Sequence, residues 1–428
     1  MRGIQSVVSL SLLLGAWAGP VEKNWQSKAP RNPAYPLDVV DKLEESIMPN
    51  VEAWMAKRAG NTNNCTLENA AIRREWSDLS ADERKEYIRA VLCLQSTPAK
   101  APKDKVPGAL SRFDDFVATH MTQAGTLHSP NNLFAAHRYF IHVYEKALRE
   151  ECGYKGYQPY MNYDRYVDDP INSPMFDGSD TSMGGNGAKS DYPGIAQPFP
   201  RPYNLLPSAG GGGCVTEGPF KDMVVSLGPK STIVRNIPAN PRADGLGSNP
   251  RCLRRDVNKF SAAGARANYT YSAIMDNPDI DAFYNRYLGM PQLKGDVHPW
   301  GIHNAGHYII GGDPGGDFYC SPGDPAFYFH HGMLDRVWWI WQMQDPENRA
   351  HAVPGAAAMT MPGHGGMSSS AMKAMFETVD VDNNNKKTRR ADIHDAVVDL
   401  GWTAPGVKLM DLNEQLGGLG GELCYIYV

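Results

Sequence analysis

Seven of the 12 histidines in this 428-residue chain fall in two distant groups, and a fold that uses them has to bring helix faces from both parts of the chain together. One group is His120, His128 and His137. The other is His303 and His307 with the adjacent pair His330–His331. Neutral imidazoles gathered in threes suit a borderline metal such as copper, and two such groups point to two metal ions.

Spacing narrows the geometry. His303 and His307 stand four apart on a stretch of helical periodicity, so their side chains differ by only about 40° and emerge on one face. A third ligand has to come from elsewhere, and the helical segment 325–344 offers His330 or His331. These neighbours point about 100° apart, so at most one faces the same ion. In Leu133-Phe-Ala-Ala-His137-Arg-Tyr-Phe-Ile-His142, the last histidine lies five positions on, about 140° round the helix, and cannot share a face with His137. His120 closes the stripe that begins at Phe113 and Phe116, and His128 lies in a Gly/Ser/Pro-flanked connection between helices. A zinc hydrolase built on His-x-x-x-His carries Glu after the first His. Here that residue is Asn304, so the general base is missing.

The rest of the chain bounds the setting. Arg2, the apolar run Val7–Leu14 and Ala16-Trp17-Ala18 form a secretory signal over residues 1–18. No later apolar run approaches the roughly 20 residues of a membrane span. The reading is therefore a secreted, extracellular chain. A net charge of −5 without a long basic run argues against nucleic acid and anionic membranes as partners. Seven cysteines suit an oxidising compartment. Their pairing is not readable, the odd number leaves at least one thiol free, and the absence of Cys-x-x-Cys argues against a thiolate zinc site. Asn64-Cys-Thr66 and Asn268-Tyr-Thr270 have the form of glycosylation acceptors.

Periodicity predicts an extended N-terminal segment over residues 19–44 and helical spacing over 68–94, broken by a capping box at Ser80 and Glu83 that starts a second helix. Further helices are predicted near 109–124, 131–151, 278–289, 300–310 and 325–344. Residues 153–218, rich in Gly and Pro, read as a long irregular loop. Residues 351–371 form a Gly/Ala/Met-rich insertion, 381–390 a polar exposed loop, and the alternating end Glu422–Val428 a strand.

Taken together, these residues resemble the type-3 copper proteins, which include tyrosinases, catechol oxidases and, more distantly, molluscan haemocyanins. The likeness is closest to the short, secreted fungal polyphenol oxidases. Phe113-Asp-Asp-Phe-Val-Ala-Thr-His120 and Phe134-Ala-Ala-His137 look like copper-A elements. His303-Asn-Ala-Gly-His307 and Ser321-Pro-Gly-Asp-Pro-Ala-Phe327-Tyr-Phe-His-His331-Gly-Met-Leu-Asp335-Arg-Val-Trp look like the copper-B signature, and Tyr425-Ile-Tyr427 is similar to the tyrosine motif that closes the family's core.

The resemblance implies a mainly α fold, with a central antiparallel four-helix bundle holding a dinuclear copper site, long irregular loops and a few short strands. One such domain would span 45–428, without a C-terminal inhibitory domain, and would be active without cleavage. His120, His128 and His137 would bind copper A, and His303, His307 and His331 copper B, with O2 as co-substrate. Phe327 would pack on a ligand ring, and Asp335 and Arg336 would be structural. The implied activity is oxidation of small phenols, o-diphenols to o-quinones and monophenols by ortho-hydroxylation, or of aminophenols or methoxyphenols. A non-catalytic O2 carrier is the alternative. The protein would act as a monomer or weak dimer. Asn304 would hold a water that accepts the phenol proton, and Tyr308 would line the entrance.

The chain also departs from the family pattern. Thr126 stands where many fungal members have a thioether-forming Cys, and Ala136 where a Trp is usual. Pro159-Tyr-Met-Asn-Tyr163 replaces Pro-Tyr-Trp-Asp-Trp. Lys294, with Asp296 nearby, occupies the place of a water-holding Glu.

Overall fold

The computed structural model describes residues 29–58, 60–196, 205–230, 234, 236–289, 300–355 and 396–428. The signal segment, the start of the extended segment, Lys294, Asp296, most of the 351–371 insertion and the 381–390 loop lie outside the described residues.

The first helix, α1 (Val39–Lys57), begins inside the stretch read as extended to residue 44. Asp38 caps it, accepting hydrogen bonds from the backbone N–H groups of Val40 and Asp41, and Leu43, Ile47, Met48, Val51 and Trp54 form its buried stripe. Pro49 lies inside this helix and masks the signal. The carbonyl that Pro49 leaves without a partner belongs to Glu45, on the exposed side, where water replaces the lost bond.

The helical spacing read over 68–79 is not realised. Ala71–Arg73 form a strand, β1, and Trp76–Asp78 a single 3-10 turn. The helix starts where its capping box puts it, at Ala81, and α2 runs over Ala81–Ser96. Strand pairing with the other end of the chain overrides local propensity here. β2 (Leu416–Gly418) and β3 (Leu423–Tyr427) complete a three-stranded sheet in the order β1-β3-β2, with Ala71, Ile72 and Arg73 parallel to Tyr425, Ile426 and Tyr427. The expected C-terminal strand is thus present.

Four helices carry the histidine groups: α3 (Arg112–Leu127), α4 (Leu133–Glu150), α7 (Ile302–Ile310) and α8 (Ala326–Gln344). Between them in sequence come α5 (Ala267–Met275), which periodicity did not predict, and α6 (Ile280–Leu288). Every residue of α8 from Ala326 to Met343 is buried, as a helix apolar on all sides requires. It packs against α4 on one side and α7 on another, while α3 packs against α4, which makes the central bundle. The expected irregular stretch 153–218 is largely that, with short strands of three or four residues such as Gly187–Lys189 paired to Gly212–Val215.

Two charged side chains on the buried α8 tie the bundle to the chain ends. Asp335 accepts hydrogen bonds from Arg138 Nε at 2.7 Å, Tyr425 Oη at 2.6 Å and Tyr427 Oη at 2.7 Å, with Arg73 3.5 Å away. Arg336 donates to Asp41 at 2.7 Å and to Glu44, both on α1. These two are structural, as expected, but their partners lie on distant elements. Disulfides join Cys65 to Cys424, Cys93 to Cys152 and Cys214 to Cys252, and Cys320 is the buried free thiol. Asn64 and Asn268 are both exposed. Among the described residues, no helix is long and apolar enough to cross a membrane.

Candidate metal centre

Helix caps and backbone carbonyls aim the first triad. His120 lies midway along α3, and its Nδ1–H donates to the Tyr319 carbonyl at 2.7 Å. His128 is the residue that caps the C-terminus of α3, and its Nδ1–H donates to the Ala124 carbonyl at 2.8 Å. His137, one turn into α4, donates in the same way to the Leu133 carbonyl at 2.9 Å. A carbonyl can only accept, so each bond fixes the proton on Nδ1 and leaves the Nε2 lone pair free. The three rings then converge, with candidate ligand atoms within 4.8 Å of one another.

His303, His307 and His331 converge equally closely. His303 Nδ1–H donates to the side-chain oxygen of Asn304 at 2.9 Å, and the Asn304 amide N–H donates to the Leu288 carbonyl at 2.9 Å. Asn304 therefore ties His303 to the end of α6. The Nε2 atoms of His307 and His331 face each other at 3.3 Å. The two triads are neighbours, since the His137 and His331 rings stack at 4.3 Å and the His128 and His303 rings lie 6.3 Å apart. His142 and His330 stand outside the two triads, the first as helix geometry requires and the second as the resemblance implied. His142 reaches the surface carboxylate of Glu422 at 3.5 Å, and His330 bonds Tyr163.

The donor set fits copper. The Nε2 atoms of His120, His137 and His303 are buried without any hydrogen-bond partner, a costly state unless an ion takes the lone pairs. Burial holds every ring neutral: the pKa values of His120 and His303 fall to about 4, and those of His128, His137, His307 and His331 fall well below the ordinary value. Six neutral nitrogens without a carboxylate or thiolate match the preference of copper.

An aromatic shell dries the site. Phe327 packs 4.2 Å from the His331 ring, 5.5 Å from His120 and 5.8 Å from His307, so it touches both triads. Phe140 lies 6.0 Å from His120. On the open side, half-buried Phe318 tilts over the His128 ring at 4.5 Å. His307 and Asn304 are also half-buried there, whereas Tyr308 is only 9% exposed and sits edge-on to Trp300 at 5.8 Å. Phe318 and the Tyr319 carbonyl went unread in the sequence, because neither belongs to a periodic pattern, and Tyr163 stands out there only as a departure from the family's Pro-Tyr-Trp-Asp-Trp stretch.

Thr126 leaves His128 without a covalent tether, and hydrogen bonds perform that task instead. The Thr126 carbonyl accepts from the His128 N–H, from Ser129 at 2.9 Å and from the Asn132 side chain at 3.1 Å. Asn132→Ala is expected to weaken copper-A binding about 10-fold with copper B unchanged, measured by competition with a chelator.

Comparison with known proteins agrees with this geometry. The common central domain of tyrosinase matches residues 110–344. The chain is 41% identical over 307 residues to the tyrosinase-like protein orsC of Emericella nidulans, covering 69% of this chain and 80% of that one. It is 35% identical over 308 residues to the N-acetyl-6-hydroxytryptophan oxidase ivoB of the same organism, covering 70% and 83%. Among solved structures, a variant polyphenol oxidase from Thermothelomyces thermophila superposes with a TM-score of 0.76 at 35% identity, over 94% of this chain and 100% of that one. The two histidine triads offer the donors a copper pair needs, and the chain belongs to the tyrosinase family of copper oxidoreductases.

Proposed function

We propose that this protein is a secreted polyphenol oxidase that converts o-diphenols to o-quinones with O2, and that ortho-hydroxylation of monophenols is its secondary activity. The observation that carries the reading is the pair of facing neutral triads, open to solvent at His307, Asn304 and Phe318. In this scheme the copper pair, when bound, supplies O2 binding and two-electron redox chemistry. Two catechols and one O2 give two quinones and two waters, so each catechol gives up two electrons and two protons.

The chain's own residues do the rest. The backbone carbonyls of Ala124, Leu133 and Tyr319 hold three rings in the ligating tautomer. Phe327 and Phe140 exclude water behind them, and the Phe318 ring offers a flat wall against which a phenol stacks. Asn304 has one amide N–H committed to Leu288 and a second left for a water that takes the phenol proton. Tyr308, through its contact with Trp300, shapes the rim and so selects ring substituents. The signal segment read from residues 1–18 and the three disulfides support export.

Oxygen uptake with 4-tert-butylcatechol, tyrosine, guaiacol and 2-aminophenol side by side tests this reading. Steady quinone formation from the catechol is expected, and uptake with 2-aminophenol alone would replace the reading with an aminophenol oxidase. The name of the ivoB relative specifies a hydroxylated indole, which makes 6-hydroxytryptophan derivatives a fifth arm. Asn304→Gly is expected to lower monophenol turnover more than catechol turnover. Equal losses would show that its bond to His303 is all it contributes.

A further inference from the structure

His330 is 1% exposed and sits one residue before His331, yet it stands outside both triads. Its ring lies 4.5 Å from the His307 ring and 6.0 Å from the His303 ring, wedged between α7 and α8. The Tyr163 hydroxyl, on a residue 2% exposed, is hydrogen-bonded to His330 Nδ1. His330 Nε2 is buried without a hydrogen-bond partner, so the bond to Tyr163 is the ring's one polar anchor among the hydrogen bonds of the described residues.

The surroundings leave this pair little room to move. The segment before Tyr163 is docked onto α8, with the Met161 N–H donating to the Phe329 carbonyl at 3.3 Å. A Cβ on Gly332 would stand 3.1 Å from the Pro159 carbonyl oxygen. Across the gap, a Cβ on Gly306 would stand 2.2 Å from His330 Cε1 and 2.6 Å from the Tyr163 oxygen. The helix that carries His303 and His307 thus rests, at its glycine, directly on the His330 ring.

We propose that Tyr163 and His330 form a positioning pair for copper B. The ring of His330 sets the spacing between α7, with two ligands, and α8, with the third. The torsion that turns an imidazole about its Cβ–Cγ bond is broad, so packing alone defines it loosely. The hydrogen bond to Tyr163 fixes that torsion. Three ligand nitrogens on two separate helices need placement within roughly 0.5 Å, and a rigid wedge supplies it. The assignment depends on the copper centre and is independent of which phenol is oxidised.

Single-site backgrounds of the full chain test it. His137→Ala leaves copper B as the intact site, and His303→Ala leaves copper A. Adding Tyr163→Phe is expected to weaken copper binding about 10- to 100-fold in the first background and to leave it unchanged in the second, measured by chelator competition. Unchanged affinity in the His137→Ala background would overturn the proposal. Equal weakening in both backgrounds, accompanied by a lower melting temperature, would overturn it too, because Tyr163 would then be ordinary core packing.

Discussion

Asp335→Asn is expected to destabilise the protein by about 3–5 kcal/mol, the usual result of breaking a buried ion pair from one side. The side chain is held by Arg138, Tyr425 and Tyr427 at hydrogen-bond distance, and Arg73 and Arg138 are both fully buried. Asn keeps the shape but removes the charge. Arg73 retains Glu145 at 3.1 Å, whereas Arg138 is left with carbonyls and amides only. The loss should therefore fall toward the lower end of the range, and denaturant unfolding with and without copper measures it.

The same residue sets part of the acid limit. Burial disfavours its charge, but Arg138 and Arg73 outweigh that and hold the Asp335 pKa below the ordinary carboxylate value. A depressed folded pKa means the stabilisation is fully present above the unfolded value of about 4 and is lost as pH falls through the folded one. Stability of the Asp335→Asn variant should consequently change less between pH 5 and pH 2 than that of the parent. An equal slope would show that other carboxylates carry the acid limb.

Gly306→Ala is expected to cost the protein copper B and to lower quinone production by about 100-fold or more. The added methyl would overlap His330 at 2.2 Å and Tyr163 at 2.6 Å. Both are fully buried rings with no free space to enter, so α7 has to shift outward instead. A 1 Å displacement of a reacting group is enough for a loss of that size. Metal analysis should read one copper per chain in place of two. Helix propensity does not account for such a loss, because Gly→Ala within a helix is favourable by about 1 kcal/mol. Full copper occupancy in Gly306→Ala would show that the helix accommodates the methyl without moving the ligands.

Helix periodicity made much of the copper centre legible before any fold was known. The four-residue spacing of His303 and His307 places them on one face, and the five-residue spacing excludes His142; the structure agrees on both points. The capping box at Ser80 and Glu83 also starts its helix where the sequence put it. Reading failed where long-range contacts outvote local pattern. Residues 71–73 have helical spacing, yet Ile72 pairs with Ile426 because β3 needs a partner and Arg73 has to reach Asp335. Helix α1 stayed hidden behind Pro49, whose broken hydrogen bond falls on the exposed side and is tolerated.

The sequence by itself determined the ligand types, the faces on which they stand and the pointer to two metal ions. All of these follow from periods of a few residues. Tertiary structure alone decided which carbonyls fix the imidazole tautomers, which cysteines pair and what stands behind each ligand. Tyr319 meets His120 across 199 residues, Tyr163 meets His330 across 167, and Cys65 meets Cys424 across 359. Such partners carry no local signature, because packing of the whole chain brings them together and no rule of spacing connects them.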